Sequence, residues 1–140
     1  MASRAHQFLA DSVARKMYQE GYEIVGFEGE NSTEIVKLKL PPKILRHRPD
    51  LIGVKTQSIA IGEAKTASDF TSRTKEQLLD FTDNTEWQKG VEKKVFFGIP
   101  MSIEEKFKEL VKDLGISTKE LFILSIPDRL LPQDNEENNL

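Results

Sequence analysis

The chain contains no cysteine. Disulfides, thiolate zinc centres and cysteine nucleophiles are excluded at once. Histidine is nearly as scarce: His6 and His47 are the two present, too few to build a histidine metal centre. A metal site in this chain has to be made of oxygen ligands, which selects Mg²⁺ or Mn²⁺ chemistry. Long apolar runs are missing too; none approaches the roughly 20 residues that cross a bilayer. The opening residues, Met1-Ala2-Ser3-Arg4-Ala5-His6, lead into an amphipathic pattern without the apolar centre of a signal peptide. The expectation is a cytoplasmic protein with no membrane partner.

What remains is ordinary globular material. The 140 residues fit one domain, expected over 1–131, with an acidic tail over 132–140 expected to be disordered. The hydrophobic fraction of 38% recurs along nearly the whole length, which argues against general disorder. The net charge of −3 counts mildly against nucleic acid as a partner. Its distribution matters more. Asp134, Glu136 and Glu137 place three acids in the tail, whereas Lys43, Arg46, His47 and Arg48 form a basic cluster in mid-chain. That cluster reads equally as a solvated loop or as a phosphate contact.

The pattern is helical from Arg4 to Glu20, with Phe8, Leu9, Val13, Met17 and Glu20 on one face, and Gly21 is its natural stop. Strands are expected over 22–27 and 34–40, with Asn31-Ser32 as turn residues between them. Pro41-Pro42 then opens a basic connector. Two β-rich runs, 48–54 and 58–65, flank Lys55-Thr56-Gln57 and predict a hairpin. A helix capped by Ser68 or Asp69 runs to about Asp83, followed by a strand over 94–99. Ser102 and Glu105 have capping-box spacing for a further helix, and a last strand covers 121–126. The early strands suit antiparallel hairpins. The later strand–helix–strand unit needs a crossover and predicts parallel strands. The class is α/β, a mixed central sheet flanked by helices.

The hairpin carries the chemistry. With Thr56-Gln57 as the turn, Lys55 pairs with Ser58, Val54 with Ile59 and Ile52 with Ile61. Continued outward, the same register sets Asp50 opposite Glu63 and Arg48 opposite Lys65, all on one face. The other face carries Gly53, Ala60, Gly62 and Ala64, small enough for a helix to approach closely. Two carboxylates directly opposite each other are unfavourable in a plain sheet. A divalent cation turns that defect into a site. Taken alone, Glu63 and Lys65 read as a surface ion pair worth under about 1 kcal/mol. Phe96, Phe97 and Trp87 read as core, and His6 and His47 as surface residues, with His47 able to touch phosphate.

Pro49-Asp50, with Glu63-Ala64-Lys65 beginning thirteen positions after Asp50, resembles the signature of the PD-(D/E)xK nuclease superfamily. That group includes restriction endonucleases, archaeal Holliday-junction resolvases and RecB-like nucleases. The element order over Arg4 to Ile99 resembles its αβββαβ restriction endonuclease-like core. The resemblance implies Asp50, Glu63 and the Ala64 carbonyl as metal ligands and Lys65 as the residue that orients the attacking water. It also implies an acid on the first helix, for which Glu20 is the candidate. Gln77-Leu78-Leu79-Asp80-Phe81 is similar to the Gln-xxx-Tyr element of RecB-like members, with Phe81 where those carry Tyr. Gln77 thus joins the catalytic candidates, and Arg46, His47, Arg48 and Arg73 are the candidate nucleic-acid contacts. The implied activity is Mg²⁺- or Mn²⁺-dependent hydrolysis of DNA, with RNA left open. A homodimer is compatible with it, since many members pair to cut two strands. A non-catalytic binding module on the same scaffold and a small accessory subunit are the competing functions.

Overall fold

Helix α1 (Arg4–Gln19) starts where the Ser3 hydroxyl accepts the backbone N–H of His6. It stops at Gly21, whose φ of 96° closes the helix while the Tyr22 N–H reaches back to the Met17 carbonyl. The computed structural model describes residues 3–28, 41–83 and 90–133. The strand expected over 34–40, the Trp87 side chain and tail residues 134–140 lie outside the described residues.

Among the described residues, five strands form one mixed sheet in the order β1-β2-β3-β4-β5. They are β1 (Glu23–Phe27), β2 (Leu51–Lys55), β3 (Ser58–Ala64), β4 (Glu92–Pro100) and β5 (Leu121–Ile126). β1, β2 and β3 are antiparallel, and β3, β4 and β5 are parallel. The parallel pairs are bridged by α2 (Ser72–Thr82) and α3 (Glu104–Asp113), as crossovers require. The α/β class and the flanking helices follow the sequence reading.

The sheet faces divide as their side chains demand. Ile52, Ile61, Val95 and Phe97 meet Leu78 and Phe81 of α2 and Phe107 and Val111 of α3. On the opposite face Leu51, Ala60, Ala64 and Phe96 meet Leu9, Ala10, Val13 and Met17 of α1. α1 lies close because glycines leave it room. A Cβ on Gly62 would stand 2.8 Å from Met17 Sδ, and one on Gly98 would stand 2.5 Å from Val13 Cγ2. The small-residue face of the hairpin is thus a helix seat, as its composition predicts.

Two caps differ from expectation. α2 is capped by Thr71, which forms a reciprocal capping box with Thr74. Asp69 is engaged elsewhere, accepting the Thr66 hydroxyl at 2.8 Å. α3 begins after a 3₁₀ turn (Met101–Ile103) with Ile103 at the cap position. Ser102 is drawn aside by Asp128, which accepts its N–H at 2.8 Å and its hydroxyl at 2.6 Å. In both cases a tertiary or loop partner outcompetes the local cap.

Candidate active site

The hairpin turn falls at Thr56-Gln57, and the ladder runs from Lys55↔Ser58 to Leu51↔Gly62. β2 ends there, so the expected Asp50↔Glu63 and Arg48↔Lys65 ladder pairs are not formed. Asp50 instead occupies a bend one residue beyond the strand. From there it still meets Glu63, through a lattice of hydrogen bonds rather than a cross-strand pair. The Asp50 N–H donates to Glu63 Oε1 at 3.0 Å. Asp50 Oδ2 in turn accepts the Ala64 N–H at 2.8 Å.

Glu63 is the hub. Its Oε2 accepts the Gln77 amide at 3.1 Å and lies 3.5 Å from Lys65 Nζ. The Lys65 backbone is fixed by its N–H to the Gly98 carbonyl, 2.9 Å away on β4. Asp50, Glu63 and Lys65 keep only 7%, 3% and 8% of their surface. That burial excludes a solvated surface ion pair. Burial pushes the Glu63 carboxyl well above its ordinary range; the nearby Asp50 charge adds to this, and Lys65 opposes it. The fold holds a cluster of ionisable groups here at an electrostatic cost.

His6 enters from the first turn of α1, its Nε2 3.2 Å from Asp50 Oδ2. The Asp50 hydrogen bond raises the imidazole pKa above its ordinary value; the Asp50 and Asp69 charges help, while burial and Lys65 oppose. Its Nδ1 is buried without a hydrogen-bond partner, as is Oε1 of Gln77. Sequence reasoning set His6 at the surface. The signal was present: residues 6, 10, 13 and 17 share one helical face, and Ala10, Val13 and Met17 are core.

Glu20 is not brought to this cluster. It caps the far end of α1, about 21 Å from His6 at ~1.5 Å per residue. There it pairs with Lys16 at 3.6 Å, and its carbonyl receives Lys55 Nζ. The basic connector also behaves differently from a loose phosphate arm. His47 is buried, with Nδ1 2.7 Å from Asp80 Oδ2, so its reading as a surface residue is wrong. Arg46 reaches Asp80 at 2.8 Å and Glu76 at 3.2 Å. Arg48 and Arg73 are exposed. Asp80, which sequence reasoning passed over, thus anchors the segment that leads into Asp50.

Among the described residues, no group of three or more His, Asp or Glu side chains forms a ready-made metal centre. The donor chemistry nonetheless suits a hard cation. Mg²⁺ keeps several waters and asks for only one or two carboxylates. Asp50 and Glu63 supply the carboxylates, the Ala64 carbonyl is adjacent, and a cation would relieve the charge buried on Glu63. Among the described residues, no helix is long and apolar enough to cross a membrane. No protein-family model, curated protein or solved structure matches the chain.

Proposed function

We propose that the chain is a metal-dependent deoxyribonuclease with a restriction endonuclease-like core, cutting DNA internally at the Asp50–Glu63–Lys65 cluster. The observation that carries this reading is the burial of two touching acids and a lysine at one end of β3, where stability alone favours none of them. The resemblance to the PD-(D/E)xK pattern supports it independently of the geometry.

Asp50, Glu63 and the Ala64 carbonyl would hold Mg²⁺ or Mn²⁺, with His6 at hand on the Asp50 side. When bound, such an ion supplies a lowered pKa for an attacking water and neutralises charge on the phosphate. Lys65 orients that water and offsets the negative charge that grows on the phosphorane. Gln77 fixes the Glu63 carboxylate through Oε2. Arg48 and Arg73, both exposed, are the side chains available for backbone phosphates. The site works in a cytoplasmic protein on DNA, with RNA sharing the same phosphodiester chemistry. A homodimer would supply a second site for the second strand.

The test is cleavage of plasmid, linear and four-way-junction DNA with Mg²⁺ or Mn²⁺, beside Asp50→Ala and Lys65→Ala. Metal-dependent cutting lost in both variants supports the reading, and full activity in either ends it. A second reading, a non-catalytic binding module, is favoured by one feature. Both Glu63 oxygens and Asp50 Oδ2 already accept hydrogen bonds within the protein. Calorimetry with Mn²⁺ separates the two, because the module predicts no heat of binding.

A further inference from the structure

Asp80 lies on α2 three residues after Gln77, and both side chains are buried. Gln77 holds Glu63 directly. Asp80 holds something else: the turn Ile44–His47, which precedes Asp50. Its carboxylate accepts the Arg46 N–H at 3.1 Å, the Arg46 guanidinium at 2.8 Å and His47 Nδ1 at 2.7 Å. The turn it grips is strained. Ile44 and His47 close it with two backbone hydrogen bonds, 2.7 and 3.2 Å, while Leu45 at its tip has a φ of 56°. A bulky residue is disfavoured in that region and stays there only if its surroundings dictate it. Leu45 is 42% exposed, so core packing is not its main restraint. The Ile44–His47 bridge and the Asp80 contacts to the two residues after Leu45 hold the turn together.

Only Arg48 and Pro49 separate this clamp from Asp50, and Pro49 has little backbone freedom. The place of the Asp50 backbone decides whether its N–H meets Glu63 Oε1 and whether its carboxylate meets the Ala64 N–H.

We propose that Asp80 is a positioning residue: through Arg46 and His47 it sets where Asp50 meets Glu63. With Gln77, one helix then fixes both acids, one directly and one through the strained turn. The consequence for catalysis rests on the nuclease reading, whereas the placement of Asp50 does not.

The experiment compares ¹⁵N-labelled wild type, Asp80→Asn and Tyr22→Phe by amide NMR in chelator. Tyr22→Phe removes the buried 2.7 Å hydrogen bond to Ser58 at the other end of β3 and reports purely structural loss. In Asp80→Asn the Asp50 and Ala64 amides should shift and exchange about tenfold faster, with the sheet otherwise intact. In Tyr22→Phe those two amides should stay in place. If a folded Asp80→Asn leaves them as Tyr22→Phe does, the proposal is overturned. Should Asp80→Asn fail to fold, Arg46→Lys keeps the charge and loses the guanidinium fork, and the same amides decide. Cleavage is read alongside: where the wild type cuts, Asp80→Asn should lower kcat roughly 10–100-fold with KM little changed. A wild type that does not cut sinks the nuclease reading, and the amides still decide the positioning.

Discussion

The backbone N–H of Asp50 donates to Glu63 Oε1, so one acid is held partly by the main chain of the other. Glu63 also sits where burial and the Asp50 charge both oppose its ionisation. Burial and the proposed chemistry therefore pull in opposite directions at this residue. Glu63→Gln removes the buried carboxylate and keeps an oxygen for the Asp50 N–H, but it also takes the partner of Lys65, 3.5 Å away, so the two effects offset and stability in chelator should stay within about 1 kcal/mol of the wild type. The orphaned Gln77 Oε1 offers an acceptor for the new amide hydrogens. The same variant should lose Mn²⁺ binding by calorimetry. A variant whose stability shifts by more than that and that binds Mn²⁺ as well as the wild type would contradict both halves.

His6 and Glu20 lie at opposite ends of α1, and only His6 reaches Asp50. If the cluster is the catalytic centre, the two should separate cleanly in cleavage assays. Glu20→Ala should stay within about twofold of wild type, as expected of an exposed helix end with one weak ion pair. His6→Asn should lose about 10–100-fold, the usual cost of removing a partner of a ligating carboxylate. The opposite ranking would restore Glu20 as the helix acid and leave His6 as packing.

The hairpin register and the helix seat on its small-residue face were legible because both follow from a period of two around a two-residue turn. The end of β2 was not. Periodicity extends a strand indefinitely, whereas Asp50 leaves the ladder to put its carboxylate on the Ala64 N–H. Glu20 lies at the end of α1 away from Asp50, and spacing along α1 does not say which end meets the hairpin's open side. Arg46 and His47 read equally as a solvated loop or a phosphate contact because their partner, Asp80, is more than 30 positions away. The caps at Thr71 and Ile103 were hidden otherwise: Asp69 is taken by Thr66 within its own loop, and Ser102 by Asp128 of a later segment.

Asp80 should leave a mark on the acid limb of the stability curve. Burial pushes its carboxyl up, but hydrogen bonds from Arg46 and His47 outweigh that and leave it below its ordinary value. A lowered folded pKa stabilises above the unfolded value, near 3.9, and this contribution fades as pH falls through the folded value. Asp80→Asn should thus be less stable at pH 7 by about 2 kcal/mol, from lost charge-assisted hydrogen bonds. The gap to wild type should narrow below about pH 4. Urea melts from pH 7 down to pH 2.5 measure it, and a gap that does not change with pH would remove the charge from the account.

Gly98 tests how tightly α1 is seated. It faces Ala64 in the β3–β4 ladder, and its carbonyl holds the Lys65 N–H. An added methyl would stand 2.5 Å from Val13 Cγ2 and 3.2 Å from the Leu9 carbonyl oxygen. The Val13 side chain can turn aside in part; the α1 backbone at Leu9 cannot yield without lifting the helix. Gly98→Ala should therefore destabilise by about 1–3 kcal/mol, the usual cost of overpacking a filled core. Because α1 carries His6 to Asp50, lifting it should also lengthen that 3.2 Å contact. The variant's melting curve and the His6 ring resonances report the two effects. An unchanged melt would mean that α1 has slack against the sheet. A destabilised protein with an unmoved His6 would mean that the first turn of α1 is held to the hairpin independently of the rest of the helix.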